Sequence, residues 1–278
     1  MFQFIANIFG YLLEWLYNGI GQNYGIALIL FTIILRIILL PLTIKQQKSM
    51  KKTTELQGKM QEIQFKYKNN PELMNKEIMD LYKRENVSPF SGCISSLVQI
   101  LIILSVFYLV SRPLTYMKKI DTGIIENYRN EISAENDGKI SNYYEIEIIQ
   151  KKAAQDENIK VNMDFLGLDL SKVPSQNMTD IKVYIIPILY VISSIFSIRM
   201  TTGKTKKKEQ NGSSEPDMTQ QMNKSMSYMM PIMAVSIAFV APLGLALYWL
   251  VSNILMILER IVINKYVDSK EEKTLCLK

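Results

Sequence analysis

The sequence contains no histidine, which removes the commonest general base and the commonest protein metal ligand together. Its two cysteines, Cys93 and Cys276, stand far apart in segments of different character. Neither a disulfide framework nor a cysteine metal site is expected from them. No cofactor, metal or catalytic constellation is expected anywhere in the chain. The first residues, Met1-Phe2-Gln3-Phe4-Ile5, lack the basic stretch of a secretory signal, and no small-x-small cleavage motif follows. The amino terminus is therefore expected to belong to the mature protein. The longest apolar runs also lack amphipathic periodicity. Hydrophobic residues form 48% of the chain and are gathered in blocks between Lys- and Glu-rich stretches. Lipid, rather than a water-facing protein surface, is the expected solvent for those blocks.

What is present reads as an all-α integral membrane protein. Residues 1–22 place Ile5, Phe9, Leu12 and Leu16 on one helical stripe, flanked by Phe4, Ile8 and Trp15. Gln3, Asn7, Glu14 and Asn18 supply a polar side, as in a helix lying in the membrane interface. The competing reading is a weak first span. Residues 23–43 form the first clear span; the nineteen from Tyr24 to Leu42 cover roughly 28 Å as a helix. Pro41 stands near its end, and Lys45, Lys48, Lys51 and Lys52 follow. Residues 92–112 form a second span and 182–200 a third. The apolar block from Tyr228 to Ile263 is too long for one crossing and carries a turn signal, Ala241-Pro242-Leu243-Gly244. It divides into spans over 227–241 and 243–263.

Charge orients these five spans. Between Ile44 and Phe90 lie ten Lys or Arg against six Asp or Glu, and the 201–226 connection opens on a lysine cluster. The 113–181 loop is acidic, with twelve acids to eight bases between Leu114 and Ile181. By the positive-inside rule both basic connections and the 264–278 tail are cytoplasmic, while the amino terminus and the 113–181 loop lie outside. The cytoplasmic stretch 44–91 carries a stripe of Thr53, Leu56, Met60, Ile63 and Tyr67. It breaks at Asn69-Asn70-Pro71 and resumes with Met74, Ile78 and Leu81. That pattern predicts an antiparallel helical hairpin. In the outer loop, Tyr143 to Gln155 is expected to be helical and Asn162 to Pro174 irregular, the whole being solvated.

Arg36 is the most informative residue. It sits within Ile33-Ile34-Leu35 and Ile37-Ile38-Leu39-Leu40, where an arginine costs roughly 2.5–3.5 kcal/mol on insertion scales. One reading lets it snorkel to the cytoplasmic interface; the other turns it into a wet groove. Polar residues that suit such a groove are Ser95, Ser96, Gln99, Ser105, Ser193, Ser194, Ser197, Tyr248, Trp249, Ser252 and Asn253. No acid lies deep in the first three spans, and Glu259 comes late in the last. Arg36 is accordingly expected to lack a built-in counter-charge and to await an anion from outside the chain. Met222, Met226, Met229, Met230 and Met233 before the fourth span, and Met50, Met60, Met74 and Met79 in the hairpin, suit varied apolar partners as well as ordinary gap-filling.

Several motifs, in order, resemble the YidC-type insertases. They are Leu35-Arg36-Ile37-Ile38-Leu39-Leu40-Pro41-Leu42-Thr43 with Lys45-Gln46 and Lys48-Ser49-Met50, then Leu81-Tyr82-Lys83 with Val87-Ser88-Pro89, Gly92-Cys93 and Gln99. Phe165-Leu166-Gly167-Leu168-Asp169-Leu170 and Pro242-Leu243-Gly244-Leu245-Ala246-Leu247-Tyr248-Trp249 complete the set. The resemblance implies five spans around a groove open to cytoplasm and lipid, with Arg36 as its cation and Trp249 as a lining aromatic. It implies an insertase without enzyme activity, in the bacterial plasma membrane. Nascent membrane-protein clients and the lipid bilayer are the implied partners, with a Sec-type translocon and, weakly, the ribosome as further candidates; no DNA partner is implied. Where several family members carry Gln near the end of the third span, this chain has Ser197. Its beginning is similar to the members without a lipoprotein signal. The alternative function is a small channel or transporter subunit in which Arg36 binds the anion.

Overall fold

The computed structural model describes residues 2–85, 91–202 and 236–275. Most of the fourth expected span, with its methionine cluster, the 203–226 connection, Val87-Ser88-Pro89 and Cys276 lie outside the described residues. The described residues are helical nearly throughout, and their β-structure is one two-stranded ladder. Among the described residues three helical stretches are long and apolar enough to cross a membrane: Tyr24–Thr53, Ile181–Met200 and Leu243–Ile263. A shorter apolar helix covers Leu97–Ser111. This is an all-α membrane protein.

The chain divides into two compact units, Met1–Arg36 with Ser105–Lys278, and Ile37–Leu104. The helices are α1 (Phe2–Gly19), α2 (Tyr24–Lys66), α3 (Pro71–Arg84), α4 (Ser91–Ser111) and α5 (Pro113–Tyr116). They continue with α6 (Thr122–Glu135), α7 (Tyr144–Lys152), α8 (Ile185–Thr202) and α9 (Leu243–Leu275). The helix α2 does not stop at Pro41, which lies inside it. A proline removes one N–H and strains one turn, and the Lys-, Gln- and Glu-rich residues beyond it are good helix formers that carry the backbone on.

In the second unit Asn70 caps α3, its side chain accepting from the Leu73 N–H at 3.2 Å, with Pro71 in the first helical position. Leu56 and Leu81 are buried together, with Met60, Ile63 and Tyr82 packed around them. Lys59 reaches Glu85 at 2.5 Å, an exposed pair that adds little.

In the first unit α1 packs on α5. Its buried residues are Ala6, Gly10, Leu13, Leu16 and Tyr17, whereas Phe4, Ile8, Tyr11 and Trp15 are exposed. Of the expected stripe Ile5, Phe9, Leu12 and Leu16, only Leu16 is buried, and the packed face runs instead through Ala6, Gly10, Leu13 and Tyr17. The reason is a close approach: a Cβ on Gly10 would stand 1.8 Å from the Tyr116 carbonyl oxygen.

The 113–181 segment is folded, contrary to the solvated loop expected. Ile125, Ile132, Ile146, Ile148, Ile149, Ile159, Val161 and Met163 are buried in it. The expected irregular stretch contains the antiparallel pair β1 (Asp164–Phe165) and β2 (Leu168–Asp169). Its two turn residues, Leu166 and Gly167, both have positive φ, at 53° and 76°, as a tight hairpin turn requires. Beyond β2, the carbonyls of Leu170 and Lys172 accept from the N–H groups of Gly244 and Leu243, each at 2.9 Å. Two of the N–H groups that open α9 are thereby satisfied. The chain is helical over 236–240, bends at Ala241 and Pro242, and restarts as α9.

Candidate functional site

The helices α2 and α9 start side by side. Tyr24 Cε1 lies 3.5 Å from where a Gly244 Cβ would be, and the Tyr24 N–H donates to the Asn162 carbonyl at 3.0 Å. From that shared end Arg36 is twelve residues along α2, roughly 18 Å of helical rise. Along α9, Ser252 lies nine residues from Leu243 and Glu259 sixteen, so the arginine falls between their levels. Ser252 and Glu259 are seven residues apart, two turns, and so share a face of α9.

The guanidinium is held by that face. Arg36 Nη2 donates to the Ser252 backbone carbonyl at 2.9 Å and to Ser252 Oγ at 2.7 Å. Its Nη1 stands 3.6 Å from Glu259 Oε2, and both side chains are only 12% exposed. This corrects the expectation that Arg36 lacks a counter-charge: the chain supplies one, late in its last apolar helix. The head group is accordingly turned towards α9 instead of being left to reach for the interface. Two charge-assisted hydrogen bonds, each worth about 1.5–3 kcal/mol net, are enough to offset the insertion cost of the arginine. The 3.6 Å separation is an ion pair without a hydrogen bond, and Glu259 Oε2 has no hydrogen-bond partner among the described residues.

The expected groove residues divide. Tyr248, one turn before Ser252, is buried. Asn253 is buried and points the other way, donating from Nδ2 to Ser193 Oγ at 2.8 Å and Ser194 Oγ at 3.2 Å on α8. Ser193 in turn donates to the Tyr190 carbonyl at 2.8 Å. Trp249 is half-buried with its ring 6.3 Å from that of Tyr190. Asn253 and Trp249 thus join α9 to α8, while Ser252 serves Arg36. Ser197 is half-buried on α8, and Gln99 lies on α4 within the second unit. Glu259 is the residue that sequence reasoning missed. The signal was its seven-residue spacing from Ser252, legible only once α2 and α9 are known to run parallel. Among the described residues no group of three His, Cys, Asp or Glu is placed to hold a metal ion.

Comparison with known proteins adds to this geometry. The family described as 60Kd inner membrane protein matches residues 15–271. A protein named membrane protein insertase YidC from Treponema denticola is 30% identical over 263 residues, 94% of this chain and 37% of that protein. Another of the same name, from Oceanobacillus iheyensis, is 29% identical over 272 residues, 95% of this chain and 85% of the relative. A third, from Clostridium perfringens, is 47% identical over 90 residues, covering 32% of this chain and 38% of the relative. The chain spans little more than a third of the length of the Treponema relative.

Proposed function

The chain belongs to the 60Kd inner membrane protein family, and from that premise we propose that it is a membrane-protein insertase. It moves short hydrophilic segments of nascent clients across the bilayer while their apolar helices enter lipid. The observation that carries this reading is an arginine kept inside an apolar bundle by polar groups on a neighbouring helix. An embedded cation is costly and marks a path for polar cargo. A client segment leaving water replaces part of its hydration with the Arg36 guanidinium, Tyr248 and Ser252. Ser197, Trp249 and Asn253 line the groove's α8 side in this reading. Five spans put the amino terminus outside and the tail in the cytoplasm of a bacterial cell. Phe4, Ile8, Tyr11 and Trp15, exposed on α1, suit a helix lying in the outer interface. The bilayer and nascent chains are the partners; a Sec-type translocon and weak ribosome contact are compatible with it. No catalytic step is involved.

The test is client insertion, read by protease protection and normalised to the amount of insertase in the membrane. Arg36→Lys keeps a positive charge, though not the two terminal nitrogens that meet Ser252 and Glu259, and is expected to retain part of the activity. Arg36→Ala is expected to lose most insertion of clients with acidic outer segments and less for neutral ones. If Arg36→Ala inserts both kinds as well as the wild type, Arg36 has no part in transport and this reading is wrong.

A further inference from the structure

The pairing of Arg36 with Glu259 has a consequence for which clients are accepted. The carboxylate stands 3.6 Å from Nη1, too far to accept a hydrogen bond from it, and the other terminal nitrogen is occupied by Ser252. Glu259 Oε2 is buried without a hydrogen-bond donor among the described residues. The site therefore offers two charges of opposite sign, close enough to attract but not satisfied by each other. We propose that Glu259 is the specificity-determining residue of the groove and makes it a receptor for bipolar client segments, in which an acid travels with a nearby hydrogen-bond donor.

The argument rests on the insertase reading above and on the cost of stranding a buried charge. An acidic residue that reaches Arg36 competes with Glu259 for the same guanidinium. If it arrives alone, two carboxylates share one cation, and the buried one loses its counter-charge. If it arrives with an ammonium or an amide N–H, the donor serves Glu259 while the acid serves Arg36. Both ends of the site are then better satisfied than in the empty protein. A lone cation meets Glu259 but is repelled by Arg36. The preferred cargo is thus near-neutral and dipolar, such as an acid within a few residues of a lysine.

Four versions of one client test this, with outer segments that are neutral, carry one Asp, carry one Lys, or carry an Asp–Lys pair. Insertion is measured by protease protection and normalised to accumulated insertase. In the wild type the Asp–Lys client is expected to insert better than the Asp client. Glu259→Gln keeps the volume and removes the competing charge. It is expected to raise Asp-client insertion at least about threefold relative to the Asp–Lys client, and to lower the Lys client. In Arg36→Ala with Glu259→Gln that gain is expected to vanish, because the guanidinium is its source. Should the Gln variant fail to accumulate, Glu259→Met fills similar space without charge and carries the same expectation. An unchanged client ranking in Glu259→Gln, with Arg36→Ala still defective, overturns the bipolar site and leaves the insertase reading standing. Full activity of Arg36→Ala on all four clients overturns both.

Discussion

A second acid besides Glu259 is buried, and its surroundings make the opposite use of it. Glu145 is fully buried at the start of α7, where Oε2 accepts the Thr115 N–H at 2.9 Å and Oε1 the Thr115 hydroxyl at 2.6 Å. Arg112, just before α5, faces it electrostatically and stacks on Tyr108 and Tyr144 at 5.7 Å. The carboxylate thus ties α7 to the first turn of α5, supplying an acceptor where helix N–H groups are orphaned. Burial pushes its pKa above the ordinary 4.5, and the hydrogen bonds from Thr115 and Leu114 only partly counter this. The native state therefore holds this proton more tightly than the unfolded chain does. Its contribution to stability is full below the ordinary value and is lost as pH rises through the raised one. Subtracting the thermal stability of Glu145→Gln from that of the wild type, in detergent between about pH 4 and about pH 7, isolates this group. The difference is expected to fall with rising pH. A flat or rising difference would mean that the Thr115 hydrogen bonds outweigh burial.

At the scale of helices, two glycines make opposite predictions. Gly10 faces the Tyr116 carbonyl at a distance that no Cβ can occupy, whereas nothing lies within 4 Å of a Cβ on Gly58. Gly58→Ala is expected to stabilise α2 by about 0.5–1 kcal/mol, the usual gain on removing glycine from a helix interior. Gly10→Ala gains the same propensity but must push α1 off α5, an overpacking cost of about 1–3 kcal/mol. The net is destabilising, and thermal unfolding of the two variants should shift in opposite directions. These glycines also show how far helices were legible. The helical character of residues 2–20 followed from spacing alone. Its buried face did not, because Ala6 and Gly10 add little to a hydrophobic stripe and their partner lies about a hundred residues away. The 113–181 segment was obscured likewise. Its isoleucines are interleaved with charges that find partners, such as Lys152 with Glu131 and Glu135 at 3.0 Å each. A charge count reads those pairs as solvent-facing.

For the whole molecule, the membrane character was legible because apolar length needs no partner to be recognised. Arg36 was legible for the same reason, as a lone charge in such a run. Its relation to Glu259 depends on two parallel helices separated by more than two hundred residues, which no local pattern encodes. Orientation rests on the lysines, and it is testable as a unit. Lys45, Lys48, Lys51 and Lys52 follow the first apolar stretch and Arg199 the one on α8, so both ends are expected to face the cytoplasm. The α2–α3 turn should then lie inside and the folded 113–181 segment outside. Single cysteines in a Cys93→Ser, Cys276→Ser background report this when intact cells meet a membrane-impermeant thiol reagent. Asn69 is exposed at the turn and suits the inner probe. Asn136 is a poor outer probe, since it ends α6 and donates to Glu147 Oε1 at 3.0 Å. Lys139, exposed three residues on, carries no such duty. Lys139→Cys is expected to react in intact cells, and Asn69→Cys only after the membrane is opened. Reaction of Asn69→Cys from outside, or equal protection of the two, would break the alternation on which an odd number of spans and an outside amino terminus depend. The groove proposed above would then open to the wrong face for clients made in the cytoplasm.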